Sequence, residues 1–172
     1  MLRTTATTVL LFAALTLGAC GFHLRGTGAG MTVSEEWRSM YLVTGNPNSE
    51  FSREVLARFA ANGIQWTGER GEANFLVILG SERFSQKNLS LNAEARAAEF
   101  ELTLASTFSV RDREGKQVMP DTTASVLKQM ENDPRNVVGK AEEIRILRSE
   151  MRAELAQQIM RRIAFFAASQ EA

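Results

Sequence analysis

The clearest signal in the chain is a two-residue period between positions 99 and 110. Phe100, Leu102, Leu104, Phe108 and Val110 alternate with Glu99, Glu101, Thr103, Thr107 and Ser109. That alternation predicts a strand with one face in a core and the other toward water. Asp112-Arg113-Glu114-Gly115 then reads as a tight hairpin turn, with Gly115 suited to positive φ. The partner strand is expected from about 116 to 130. Pro120 within it lacks an amide donor, so this strand should lie at an edge or carry a bulge. Upstream, Arg38-Ser39-Met40-Tyr41-Leu42-Val43 predicts a first strand, stopped by Gly45-Asn46-Pro47. A helix follows over 49–62, because Phe51, Val55, Leu56 and Phe59 share one face and Asn62-Gly63 is a C-cap signal. Asn48 and Ser49 are both open as its N-cap. Phe75-Leu76-Val77-Ile78-Leu79 is a continuous apolar run, as in a central strand covered on both faces. A more polar continuation past Gly80 toward Ser85 fits the pattern, and 86–97 reads equally as loop or strand edge.

The last third of the chain changes period. Asp133-Pro134 makes an N-cap and first-turn pair. Val137, Ala141, Ile144, Leu147, Met151, Leu155, Ile159, Ile163 and Phe166 then recur every three or four residues. They predict a helix of about 30 residues, roughly 45 Å long. A helix longer than the sheet it covers should overhang or meet a partner. Ile146, Met160 and Phe165 fall off the main stripe and could serve that purpose, unless the core-facing stripe is simply wide.

The first 30 residues follow neither period. Arg3 precedes an apolar run, Val9-Leu10-Leu11-Phe12-Ala13-Ala14-Leu15, and Leu17-Gly18-Ala19-Cys20 closes it with small residues and a thiol. This is the layout of an export signal, with an apolar run too short to span a bilayer. Leu-Gly-Ala-Cys is also the bacterial lipobox, in which the cysteine sulfur takes a diacylglycerol and the cysteine becomes the new N-terminus. At roughly 0.8 kcal/mol per buried methylene, a multiply acylated Cys20 is a lasting tether. Residues 1–19 are therefore read as a lipoprotein signal peptide, 20–36 as a lipidated tether, and 37–172 as one α+β domain. Gly21 is not acidic, and an aspartate there favours retention at the inner membrane in enteric-type bacteria. Outer-membrane placement is expected.

Composition narrows the function. The chain carries 20 Lys+Arg and 20 Asp+Glu, a balance that argues against broad nucleic-acid binding. Its single cysteine is assigned to lipid, so no internal disulfide is expected. The one histidine, His23, lies in the tether without a base–nucleophile partner, so a Ser-His-Asp or Cys-His device is not supported. No carboxylates cluster at metal-ligand spacing. Glu142-Glu143 are consecutive in a helix, point apart, and read as a solvated face. Gly63, Gly68 and Gly71 lead into no Gly-Lys-Ser/Thr phosphate loop. No catalytic residue, metal or cofactor is assigned, and the remaining class is binding.

The lipobox followed by Gly21-Phe22-His23-Leu24-Arg25-Gly26 resembles the start of the LptE family of lipopolysaccharide-assembly lipoproteins. The end is similar too: Asp133-Pro134, Lys140, Arg148-Ser149-Glu150-Met151, and Ala156-Gln157-Gln158-Ile159-Met160-Arg161-Arg162-Ile163. The resemblance implies two helices packed on one side of a mixed, roughly four-stranded sheet. It implies a non-enzymatic plug inside the outer-membrane barrel LptD, which helps that barrel assemble and takes part in lipopolysaccharide export. It also implies two lipopolysaccharide contacts, Arg96 and Lys140. The chemistry is suitable, since a guanidinium fork grips a lipid A phosphate bidentately and an ammonium supplies a point charge. Two other readings share the tether: a periplasmic lipoprotein scaffolding another outer-membrane machine (barrel insertion or cell-wall attachment), and an anchored hydrolase.

Overall fold

The computed structural model describes residues 33–91, 97–131 and 137–170. All fall within the compact unit Met31–Ala172. The signal segment, Cys20, His23, Arg96 and Asp133-Pro134 lie outside the described residues.

The elements follow the hydrophobic pattern closely. A one-turn helix α1 (Glu35–Arg38) leads into β1 (Ser39–Thr44). Helix α2 (Glu50–Ala61) follows, then β2 (Gln65–Trp66), a 3-10 turn (Arg70–Glu72) and β3 (Phe75–Leu79). Then come β4 (Arg83–Leu91), β5 (Ala97–Asp112), β6 (Gln117–Glu131) and the long helix α3 (Val137–Gln170). Ser49 is the N-cap of α2, its hydroxyl accepting from the Ser52 amide at 3.0 Å. Gly63 closes that helix at φ +88°, a conformation that costs a glycine little. The 112–115 turn closes through Gly115 N–H to Asp112 O and Lys116 N–H to Asp112 Oδ1, with Gly115 also at φ +88°.

The sheet is mixed, as expected, but has six strand segments rather than four. Strand β1 pairs in parallel with β2 and β3, a geometry that needs a crossover such as α2. The antiparallel remainder is built on the 16-residue β5. One edge of β5 pairs with β6. The other pairs first with β4 and then with β3, which lie end to end along it. Counted by lanes the sheet is β1, β3/β4, β5 and β6, with the two-residue β2 outside β1. The joint between β3 and β4 sits at Gly80, where the backbone comes so close that an added Cβ would stand 2.9 Å from Thr107 O. Gly80 N–H donates to that same carbonyl at 2.8 Å, and Ser106 Oγ donates to Gly80 O. Pro120 meets both expectations: β6 has no neighbour on its outer side among the described residues, and its register shifts between Met119 and Thr122.

One face of the sheet is apolar and covered by helices. Phe100, Leu102, Leu104 and Phe108 of β5 and Val77 and Leu79 of β3 join Phe51, Val55 and Phe59 of α2 and Met151, Leu155, Ile159 and Ile163 of α3. At roughly 1.5–3 kcal/mol for each fully buried large side chain, this cluster is the main source of stability. Trp37 stacks on Phe75 at 3.8 Å and meets the edge of Phe166 at 5.9 Å, tying α1 to the end of α3. Val33 is already part of the cluster, so the core begins before Trp37. The opposite face of the β4–β5–β6 region is polar, with Lys87, Glu101 and Gln129 in one row and Ser85, Thr103 and Leu127 in the next. In β3 the neighbouring Leu76 and Val77 point to opposite faces and are both fully buried, as its apolar run implied.

Two readings of α3 are decided by the structure. Met160, open as either a partner contact or part of a wide core-facing stripe, is fully buried. Its neighbours Leu155, Ala156, Ile159 and Ile163 are buried too, so the core-facing stripe is wide in this half. Ala141, placed on the stripe, is exposed. Among the described side chains, burial is concentrated from Met151 onward, and before it only Ile144 and Leu147 pack on the core, in part. Ile146 and Phe165 stay exposed, Phe165 at 70%.

Candidate functional site

Strand direction brings four chain ends together. The end of β4, the start of β5, the end of β6 and the start of α3 lie at the same end of the molecule, through the pairs Asn88–Phe100 and Phe100–Met130. Phe100 and Met130 are buried there. Lys140 Nζ stands 4.7 Å from the Phe100 ring centroid. A cation over an aromatic face gains about 0.5–2 kcal/mol, and the half-buried lysine stem keeps its charge at the rim. Of the two basic positions implied for lipopolysaccharide contact, Lys140 is thus placed. Arg96 lies outside the described residues, and β5 begins at the next residue, Ala97. On the polar face of this end, Ser90 Oγ donates to Glu99 at 3.0 Å, and Lys87 stands opposite Glu101.

A second cluster holds the lightly packed half of α3 to the sheet, and sequence reading did not find it. Glu82, at the β3–β4 joint, accepts from Arg148 Nη2 at 2.7 Å and from Arg152 Nε and Nη2 at 2.7 Å each. Arg152 also donates to Glu50 at the start of α2. Arg148 carries its guanidinium 4.9 Å over the Phe84 ring. The cluster joins three elements far apart in sequence. Burial pushes the Glu82 carboxyl up, but the hydrogen bonds and charges of Arg152 and Arg148 outweigh that and hold it below its ordinary value. The same contacts raise Arg152. The visible signal was the four-residue spacing of Arg148 and Arg152, which puts both on one side of a helix. Nothing in the sequence tied them to Glu82.

The side of α3 beside β6 is also charged. Lys128 reaches Glu154 at 2.7 Å and Glu150 at 3.2 Å. Glu142, read as part of a solvated face, is exposed and takes Arg145 in a two-pronged exposed pair, while Glu143 is exposed beside it. No group of three His, Cys, Asp or Glu side chains among the described residues is arranged to hold a metal. No described helix is long and apolar enough to cross a membrane.

Comparison with known proteins places these features in a family. Residues 37–163 match the family described as "LptE: Lipopolysaccharide-assembly". The chain is 27% identical over 167 residues to the LPS-assembly lipoprotein LptE of Pectobacterium atrosepticum, covering 96% of this chain and 88% of that one. It is 29% identical over 159 residues to the LPS-assembly lipoprotein LptE of Yersinia pestis, covering 91% and 74%. The fold is similar to rare lipoprotein B from Shewanella oneidensis, with a TM-score of 0.68 at 23% identity over 77% of this chain and 98% of that one. It is also similar to a lipoprotein B from Nitrosomonas europaea, with a TM-score of 0.69 at 14% identity over 82% and 93%.

Proposed function

The chain belongs to the LptE family of lipopolysaccharide-assembly proteins, and from that premise we propose that it is a lipid-anchored plug and assembly partner of the LptD barrel that binds lipopolysaccharide during export. Cys20 carries the acyl anchor, holding the domain at the outer membrane on the periplasmic or luminal side. Arg96 and Lys140 contact the glycolipid phosphates. The protein works by binding and performs no chemistry.

The observation that carries this reading is the family match over 37–163. The two-faced sheet supports it. A domain seated in a barrel lumen needs a hydrated outer surface, because barrel interiors are polar. The row Lys87, Glu101, Gln129 supplies such a surface, while the apolar face is already covered by helices. The equal numbers of acidic and basic residues also avoid strong repulsion inside a lumen of either sign.

Affinity-tagged full-length protein, extracted from membranes in mild detergent, should bring down a large β-barrel at near-equal amounts. Recovery of the tagged protein without any barrel overturns the proposal. Recovery with a different outer-membrane machine favours the scaffolding reading instead.

A further inference from the structure

Strand β6 is guarded at one end of its outer edge and open at the other. Near its start, Pro120 and the register shift beside it break the ladder, a common device against stray strand pairing. Next, Arg162 Nη1 of α3 donates to Thr123 O at 2.7 Å. That contact fixes the parity of the strand. In an antiparallel ladder the N–H and C=O of one residue point to the same side, and alternate residues point to opposite sides. The pairing with β5 runs without a shift from Thr122 to Glu131. Since Thr123 O points outward, Ser125, Leu127 and Gln129 also direct their N–H and C=O outward. None of these groups has a strand partner on that side among the described residues.

The open stretch borders a cleft of about 500 Å³ between β6 and α3, lined by Leu127, Gln158, Arg161 and Arg58 among others. Leu127 is 55% exposed, unusual for a leucine on an otherwise polar face. Gln158 Oε1 is buried and has no hydrogen-bond partner among the described residues. Arg58 is paired with Glu54, and Glu154 with Lys128, whereas Arg161 makes no ion pair among the described residues. The edge and its cleft thus offer a run of backbone donors and acceptors, a buried acceptor and an unmatched positive charge, with Leu127 exposed on the polar face beside them.

We infer that the outer edge of β6 from Ser125 to Gln129 is a docking site for an extended polypeptide segment bearing an acidic side chain, which adds as a further antiparallel or parallel strand. Backbone pairing supplies affinity in this mode, and alternate side chains supply selectivity. Residues of one parity enter the cleft, where a carboxylate meets Arg161. Residues of the other parity lie on the polar face, where an apolar side chain covers Leu127. The assignment concerns the edge and its cleft, and stands whether or not the barrel proves to be the partner.

The test uses full-length, isotope-labelled protein in detergent micelles and a capped peptide probe, acetyl-Thr-Thr-Val-Glu-Val-Thr-Thr-amide, whose glutamate and valines lie on opposite faces of a strand. Amide spectra should shift at Ser125, Leu127 and Gln129, and these amides should exchange more slowly with probe present. A probe with lysine in place of glutamate should bind about tenfold more weakly, and Arg161→Glu should reverse that preference. Leu127→Pro removes an N–H that faces outward, not toward β5, so it should abolish binding with an unchanged circular dichroism spectrum. Should that variant misfold, a probe N-methylated at alternate amides makes the same test from the other side, because it cannot pair. Binding that survives N-methylation, equal affinity for the two charges, or shifts confined to other elements would each overturn the inference. So would pairing of β6 with a second copy of the chain, seen as concentration-dependent dimers that exclude the probe.

Discussion

At the scale of single residues, Glu82 ties α3 to the sheet through Arg148 and Arg152. It is one carboxylate shared by two guanidinium groups, with side-chain exposures of 15% for Glu82, 13% for Arg152 and 36% for Arg148. Replacing it by glutamine leaves two arginines facing an amide in a mostly dry joint. Glu82→Gln is therefore expected to cost about 2 kcal/mol at neutral pH, read from urea denaturation. The pH dependence has a definite sign. The folded carboxyl titrates below its ordinary value of 4.5, so its contribution is complete above the ordinary carboxylate range. It fades as the pH falls through the folded value. The gap in stability between the natural protein and Glu82→Gln should close on acidification, and a gap that stays constant would remove Glu82 from this role. Neither the joint nor its partner was visible beforehand, because the glycine that permits the joint acts through a close approach to Thr107, which only the fold brings near.

Among the elements, those written by periodicity were legible and those written by closure were not. The alternation at 99–110 gave β5 its two faces, except that Ser109 on the polar side is buried beside β3, and Pro120 placed β6 at an edge. The two-residue β2 and one-turn α1 are too short to show a period. They exist because Trp66 Nε1 reaches Leu56 O and Trp37 stacks on Phe75, contacts made across the fold. Polar residues over 86–91 left β4 ambiguous, since its outward side chains face water and its ladder comes from β5. In α3 the spacing left Met160 open between core and partner contact, and the sheet and α2 widen the buried arc to include it. That difference can be measured directly. Met160→Ala should destabilise the fold by about 2–5 kcal/mol, as for other fully buried large side chains. Phe165→Ala, at a residue 70% exposed, should change stability by less than about 0.5 kcal/mol. Equal effects of the two in chemical denaturation would contradict the orientation of α3.

For the molecule as a whole, the covered face and the joint at Glu82 serve the end where Lys140 stands. Among the described residues the first half of α3 is only partly packed, and Arg148, Arg152 and the Lys140–Phe100 contact hold it to the sheet. The candidate contact was legible through family resemblance alone, because an exposed lysine carries no distinguishing pattern. The fold adds that Lys140 is held by an aromatic ring at the junction of β4, β5, β6 and α3. A phosphorylated glycolipid that uses both cations should be sensitive to reversing them together. Arg96→Asp with Lys140→Asp should weaken lipopolysaccharide binding by about tenfold or more, since two charge-assisted contacts become repulsive. Lys140 is not a core side chain, and circular dichroism of the double variant should be unchanged. The losses should also shrink at high salt, where exposed charges are screened. Unaltered binding in the double variant would remove both residues from the glycolipid contact while leaving the family assignment intact. Weakened binding with a salt-independent loss would point instead to a shift of the α3 tip, with Phe100 rather than the charge as the group to test next.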